Sequence, residues 1–199
     1  MKNFIFICAA ALSLAAISCQ KIKNEASQPV QEASIDATSK TTWTYFSLVK
    51  GQTVGTGEEN EADNALWAAR ADWDFAVMRY NIRTNSGTSS SKGAKGGIFA
   101  SDKTFDALQT IPSAGAFTVD RIVTSAGMGG VTSTSESGAT VITFKTNPDG
   151  SKVMPPVYLK APVYVVRSAD GSGFYKVEFT QYQDENKVTG KVKFKFAEL

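Results

Sequence analysis

Polar and apolar positions divide the chain into a short apolar leader, a polar stretch and a long region of alternating pattern. After Met1-Lys2-Asn3 comes Phe4-Ile5-Phe6-Ile7-Cys8-Ala9-Ala10-Ala11-Leu12-Ser13-Leu14-Ala15-Ala16-Ile17. This run is shorter than the roughly 18 to 20 residues a helix needs to cross a bilayer. A basic start followed by a short apolar middle is the layout of an export signal. Residues 20–41 are polar, with Lys21, Lys23, Glu25, Gln28, Pro29, Gln31, Glu32, Ser34, Asp36 and Ser39 and no hydrophobic period, which predicts a flexible tether. Regular structure is expected from Thr42-Trp43-Thr44-Tyr45-Phe46-Ser47-Leu48-Val49, where aromatic and β-branched residues cluster before Gly51.

Beyond that point strand signals dominate. Residues 58–70 turn from acidic to alanine-rich around Ala65-Leu66-Trp67-Ala68-Ala69 and predict one short helix or turn. Residues 73–83 read as a strand, Trp73, Phe75 and Val77 on one side, with Met78, Tyr80 and Ile82 marking a change of register midway. A small-residue loop follows at 84–97, and further strands are expected at 116–124, 139–145, 157–167, 174–182 and 188–196. Asn147-Pro148-Asp149-Gly150 and Asp170-Gly171-Ser172-Gly173 carry hairpin-turn chemistry. The last strand sets Val188, Gly190, Val192, Phe194 and Phe196 against Thr189, Lys191, Lys193 and Lys195, one face buried and one wet. The fold class is therefore mostly β: a single antiparallel β-rich domain with little helix.

Cysteine and charge sharpen this picture. Ala16-Ile17-Ser18-Cys19 resembles a bacterial lipobox, in which small residues precede a cysteine that is cut and acylated. The chain is expected to divide into a signal peptide at 1–18, a lipidated tether at 19–41 and one domain at 42–199. Cys8 leaves with the leader and Cys19 is acylated, so no disulfide staples the domain; about 160 residues bury enough surface without one. Loss of Lys2 leaves 20 basic against 19 acidic residues, interspersed, and no basic footprint for nucleic acid.

There is no histidine. Histidine-based triads, Cys-His pairs and zinc sites with His or Cys ligands all lack their parts. Asp72 and Asp74 flank Trp73 and would sit about 7 Å apart on a strand, but with no sign of a sugar cleft they read as polar residues opening a strand rather than as a catalytic carboxylate pair. The 84–97 loop lacks the Gly-Lys-Ser/Thr ending of a phosphate loop and the dinucleotide spacing. No enzymatic reaction is expected.

Four segments carry a resemblance: Thr42-Trp43-Thr44-Tyr45-Phe46-Ser47-Leu48; Trp73-Asp74-Phe75-Ala76; Arg83-Thr84-Asn85-Ser86-Gly87-Thr88-Ser89 with the glycine-rich loop after it; and the Phe/Lys-alternating final strand. Together they resemble the HmuY-like haem-binding lipoproteins of anaerobic Gram-negative bacteria over most of the mature chain. The resemblance implies a β fold with long hairpin fingers that hold one haem, and delivery of that haem to an outer-membrane TonB-dependent receptor. Host haemoproteins would be a source of haem. The protein would sit at the outer membrane, held by lipid on Cys19 and facing the cell surface, with a released form also open. The best-known member holds iron with two histidines, whereas related members that look closer to this chain use methionines.

Haem iron is commonly held by His, Cys, Met or Tyr. Here Met78, Met128, Met154 and several tyrosines remain. Met78, inside Phe75-Ala76-Val77-Met78-Arg79-Tyr80, reads as core filling. Met128 is the one large residue in Ser125-Ala126-Gly127-Met128-Gly129-Gly130, and Met154 precedes two stiffening prolines in Lys152-Val153-Met154-Pro155-Pro156-Val157. Because the family's ligands come from this half of the chain, the resemblance makes Met128 and Met154 the candidate axial pair. Val131, Val153, Val157 and Tyr158 are the candidate packing residues, and Tyr158 and Tyr164 stay open as oxygen ligands.

A thioether has no proton to gain. Affinity is then expected to be nearly flat between about pH 5 and 8, where a histidine site titrates near 6.5. Softness favours ferrous over ferric iron. The other functional class the residues allow is a surface adhesion or glycan-binding lipoprotein of a β-sandwich type, with Trp43, Trp67 and Trp73 as stacking platforms.

Overall fold

The computed structural model describes residues 28–127 and 130–199. Its elements are β1 (Gln31–Asp36), β2 (Thr42–Ser47), β3 (Gln52–Glu58), α1 (Glu61–Ala68), β4 (Phe75–Met78), β5 (Asn81–Thr84), β6 (Gly97–Ser101), β7 (Arg121–Gly127), β8 (Gly130–Glu136), β9 (Ile142–Phe144), β10 (Tyr158–Lys160), β11 (Val163–Arg167), β12 (Phe174–Gln183) and β13 (Thr189–Glu198). One sheet has the order β1-β13-β12-β11-β6 and a second β3-β2-β4-β5, while β7-β8 and β9-β10 are separate two-stranded hairpins. Every ladder is antiparallel. The mostly β, helix-poor fold expected from the alternation is the one observed. Among the described residues no helix is long and apolar enough to cross a membrane.

The core lies where the two larger sheets face each other. The alternation of β13 puts Val192, Phe194 and Phe196 inside, and Phe46 of β2 and Phe75 of β4 meet Phe194 with ring centroids 5.0 and 5.5 Å apart, edge to face. On the far side of the four-stranded sheet, α1 closes a second cluster of Trp43, Tyr45, Trp67, Trp73, Ala76 and Met78. That helix starts where Asn60 caps the Asp63 N–H at 2.9 Å, with Glu61 and Asp63 in its positive first turn. Asp74 ties the layers together: its buried carboxylate accepts the N–H of Leu48 at 2.7 Å and of Ala169 at 2.9 Å, one from the end of β2 and one from the β11-β12 turn.

Three local readings differ from the structure. The tether expected through residue 41 contains β1, which adds an edge strand to β13 from Gln31↔Phe196 to Asp36↔Lys191. Only Ile35 of this strand is fully buried, because an edge strand shows most of its side chains to water and so reads as polar. The single strand expected at 73–83 is the hairpin β4-β5, with Met78 opposite Asn81 and Arg79 at φ 55°. Arg79-Tyr80 carries no turn signature; long-range hydrogen bonds from the Arg79 guanidinium to the Thr38 carbonyl and to Thr189 hold the turn. Residues 157–167 split at Ala161-Pro162 into β10 and β11, and β3, β6 and the hydroxyl-rich β8 lacked a legible period.

Candidate functional site

Two hairpin fingers spring from one sheet edge. The linker between them, 137–141, runs along β5: Ser137 N donates to the Ile82 carbonyl at 3.0 Å, Ile82 N to Ala139 at 3.0 Å and Val141 N to Tyr80 at 2.9 Å. Six steps of chain from Glu136 to Ile142 span at most about 21 Å, and the linker is held to one strand along its length, so the finger roots lie along the same edge. The first finger is β7-β8, in register from Arg121↔Glu136 to Gly127↔Gly130. Met128 and Gly129 join its strands and lie outside the described residues, as does Cys19.

The second finger begins with β9-β10 and continues past it. Thr146 bridges Lys152, and Asn147 N reaches the Ser151 carbonyl at 2.8 Å around the Asn-Pro-Asp-Gly turn the sequence marked. Lys145 then bonds twice across the finger: its carbonyl accepts Val153 N at 3.0 Å and its N–H donates to the Val157 carbonyl at 3.0 Å. Met154, Pro155 and Pro156 are thereby bulged out between the two bonds. Prolines have no N–H to leave unpaired, so the bulge costs no buried donor. Met154 is 76% exposed, more than any other large apolar side chain among the described residues.

Of the packing candidates, Val131 is 72% exposed on the first finger and Val157 40% exposed on the second, where Val153 is half-buried. Ile122 and Leu159 are also exposed apolar residues on the fingers. Sequence reading passed over both; Leu159 follows Val157 by two and shares its strand face, the signal that was available. Tyr158 faces the other way, half-buried with its ring 5.7 Å from Phe144 and 5.2 Å from Tyr182. Tyr164 is buried and its hydroxyl donates to the Thr140 carbonyl at 2.8 Å, so that reserve oxygen is engaged in the core. Met78 packs in the tryptophan cluster, as its apolar context implied.

The stacking platforms of the glycan reading are absent from the surface. Trp43, Trp67 and Trp73 are all buried, and Trp67 is sandwiched between the Tyr45 ring at 3.8 Å and the Arg70 guanidinium at 4.0 Å. Asp72 and Asp74 face different partners: Asp72 binds Arg70 at 2.8 Å and Asp74 holds backbone. Among the described residues no group of three or more His, Cys, Asp or Glu side chains could hold a metal ion.

The root of the first finger is polar and buried. Asp120, 2% exposed, accepts Thr84 N at 3.0 Å, Thr84 Oγ1 at 2.6 Å and Ser89 Oγ at 2.6 Å. Its own N–H donates to Ser86 Oγ at 3.0 Å and its carbonyl accepts Thr88 N at 3.1 Å. Burial outweighs the donated hydrogen bonds and pushes its carboxyl up to about 6. Glu136, across the root, is also raised, first by burial and then by the Asp120 charge. Arg83 holds the same root from below: Nε donates to the Ser135 carbonyl at 2.7 Å, Nη1 to Asn64 at 2.8 Å and Nη2 to Glu59 at 2.9 Å.

The sequence matches the family model described as HmuY protein over residues 39–196. Among curated proteins, none matches. Similar solved structures include a candidate lipoprotein from Bacteroides fragilis, 20% identical, covering 87% of this chain and 91% of that one at a TM-score of 0.60. A candidate HmuY-like haem-binding protein from Bacteroides vulgatus is 22% identical over 84% of this chain and 91% of that one, with a TM-score of 0.60. The apo HmuY analogue of Tannerella forsythia is 23% identical over 87% and 98%, with a TM-score of 0.59. At these identities the likeness is one of fold. The family match, in contrast, runs through both sheets, α1 and both fingers, and the chain belongs to the HmuY family.

Proposed function

We propose that this protein is a haem-binding surface lipoprotein of the haemophore kind, which captures haem between its two fingers and passes it to an outer-membrane TonB-dependent receptor. Met128 and Met154 are the axial ligands in this reading, with Val131, Val153 and Val157 against the macrocycle. The observation that carries it is Met154: a neutral, soft thioether held out to solvent in a proline bulge, on a finger whose neighbours Val157 and Leu159 are exposed and apolar. A flat apolar cargo would cover such surface, which isolated monomers rarely leave open in contiguous patches. The family and the haem-binding description of the Bacteroides vulgatus relative support the choice of cargo. Tyr158, expected from sequence to pack on the macrocycle, is turned instead to the Phe144 and Tyr182 rings and would have to leave that packing to serve as an oxygen ligand for ferric iron.

Absorption titrations with haemin, with and without dithionite, test the reading. Thioether ligation should give tighter ferrous than ferric binding. Ferric binding as tight as ferrous would point to an oxygen ligand such as Tyr158, and no spectral change in either state would remove the haem reading altogether.

The anchor follows from the leader. Acyl chains on Cys19 are the expected hold on the outer membrane, so Cys19→Ala should appear uncleaved at this site or released as a soluble form. Fractionation with a lipid label measures this; a Cys19→Ala protein that has lost the leader and still stays membrane-bound through salt and carbonate washes would refute it.

A further inference from the structure

The family-like segment Thr84-Asn85-Ser86-Gly87-Thr88-Ser89 has no part in ligation, yet its polar groups converge on one residue. Asp120 is the last residue before β7, and it uses its carboxylate, its N–H and its carbonyl on Thr84, Ser86, Thr88 and Ser89. Gly87 completes the fit: at φ 48° its hydrogen faces Asp120, and a Cβ there would lie 2.1 Å from the Asp120 carbonyl oxygen. Ser89 and Thr88 hydroxyls also meet Ser135 of β8, at 2.8 and 2.5 Å, so both strands of the finger are held by the same loop.

We propose that the loop at 84–89 is a socket that positions the Met128 finger through Asp120, and that the charge on Asp120 and Glu136 sets how firmly the finger is seated. The proposal deepens the haem reading and rests on it for its consequence, but the socket itself concerns the ligand-free protein.

The electrostatics give the direction. Asp120 faces Arg83 from β5 and Glu136 from β8, with Glu59 beyond Arg83 and Arg121 next along β7. Arg83 is already committed to Glu59, Asn64, Tyr45 and the Ser135 carbonyl, so it compensates two further carboxylates only in part. The Glu136 Oε2 atom is buried with no hydrogen-bond partner. In a released finger both carboxyls are hydrated and return toward ordinary values. Seating raises both; for Asp120 it is favoured fully below the ordinary value of 3.8 and weakened as pH rises through about 6, and Glu136 acts in the same direction. The flat profile expected from thioethers alone is thus overlaid by a step from the root.

Asp120→Asn keeps one acceptor, supplies the donor that a protonated carboxyl would, and removes the charge. Protection factors from amide exchange on the ligand-free full chain, at several pH values between about 5 and 8, test the socket. In the unaltered protein, β7 and β8 should lose protection several-fold relative to β12 and β13 as pH rises; Asp120→Asn should hold the acid-form protection throughout, and Glu136→Gln should reduce the step. Finger protection that is flat with pH in the unaltered protein, or that falls equally in Asp120→Asn, overturns the proposal. If Asp120→Asn does not fold, the unaltered profile and Glu136→Gln decide it. Ferrous haem titrations on the same proteins should follow protection, tighter in acid for the unaltered chain and level for Asp120→Asn. A protection step without any change in haem affinity would leave the socket standing and show that this finger does not carry the iron ligand.

Discussion

The Met128→Ala/Met154→Ala double variant should lose the low-spin haem spectrum, with ferrous affinity reduced by about 100-fold or more. Disturbing only the outer-shell partners of a metal ligand commonly costs 10- to 100-fold, and here both direct ligands of the proposed site are removed. Each single variant should shift the spectrum and weaken binding while leaving thermal stability almost unchanged for Met154, whose side chain is 76% exposed and fills no cavity. Met78→Ala should behave in the opposite way. Met78 is 8% exposed inside the tryptophan cluster, and truncating a buried methionine costs about 2 to 5 kcal/mol through the cavity left behind. Stability must therefore be measured beside binding for all three positions. A haem spectrum abolished by Met78→Ala and untouched by the other two would reverse the assignment.

Asp74→Ala should be among the most destabilising single substitutions in the domain. The change strips the acceptors from two buried N–H groups, Leu48 just after β2 and Ala169 in the β11-β12 turn, and leaves the Ser47 hydroxyl unpaired on that side. Each buried donor without a partner costs about 1 to 3 kcal/mol, and release of a carboxyl that burial already disfavours offsets part of the sum. A net loss on the order of 3 kcal/mol is expected, a large fraction of the 5 to 15 kcal/mol typical of a domain. Asp74→Asn keeps one carbonyl oxygen for one of the two donors and should lose roughly half as much. Urea unfolding at neutral pH distinguishes the series; equal stability of Asp74→Ala and the unaltered protein would mean that the layers are joined elsewhere.

Much of this was legible along the chain. Period-two alternation in Val192-Lys193-Phe194-Lys195-Phe196 depends only on neighbours in sequence, and so do the Asn147-Pro148-Asp149-Gly150 turn and the short helix or turn expected within 58–70; each appeared where local chemistry put it, while the Asn60 cap that starts the helix went unread. Composition alone removes histidine ligation. The same local logic marked Met154 through its two prolines, but could not say that a bulge beside Lys145 would hold it out to solvent.

What escaped the sequence depends on partners far along the chain. β1 is a strand because β13 offers it an edge, and the Arg79 turn exists because Thr38 and Thr189 stand ready to receive a guanidinium. Asp120 looks in sequence like any loop aspartate. Only the tertiary structure buries it under a finger, against a loop more than thirty residues away, because the cost of taking a carboxylate out of water is set by which groups close around it, and those groups are assembled by folding rather than by adjacency. The candidate methionines could be picked out along the chain; that the two fingers are rooted along one edge strand was decided by β5 and the 137–141 linker, a long-range pairing with no period of its own to announce it.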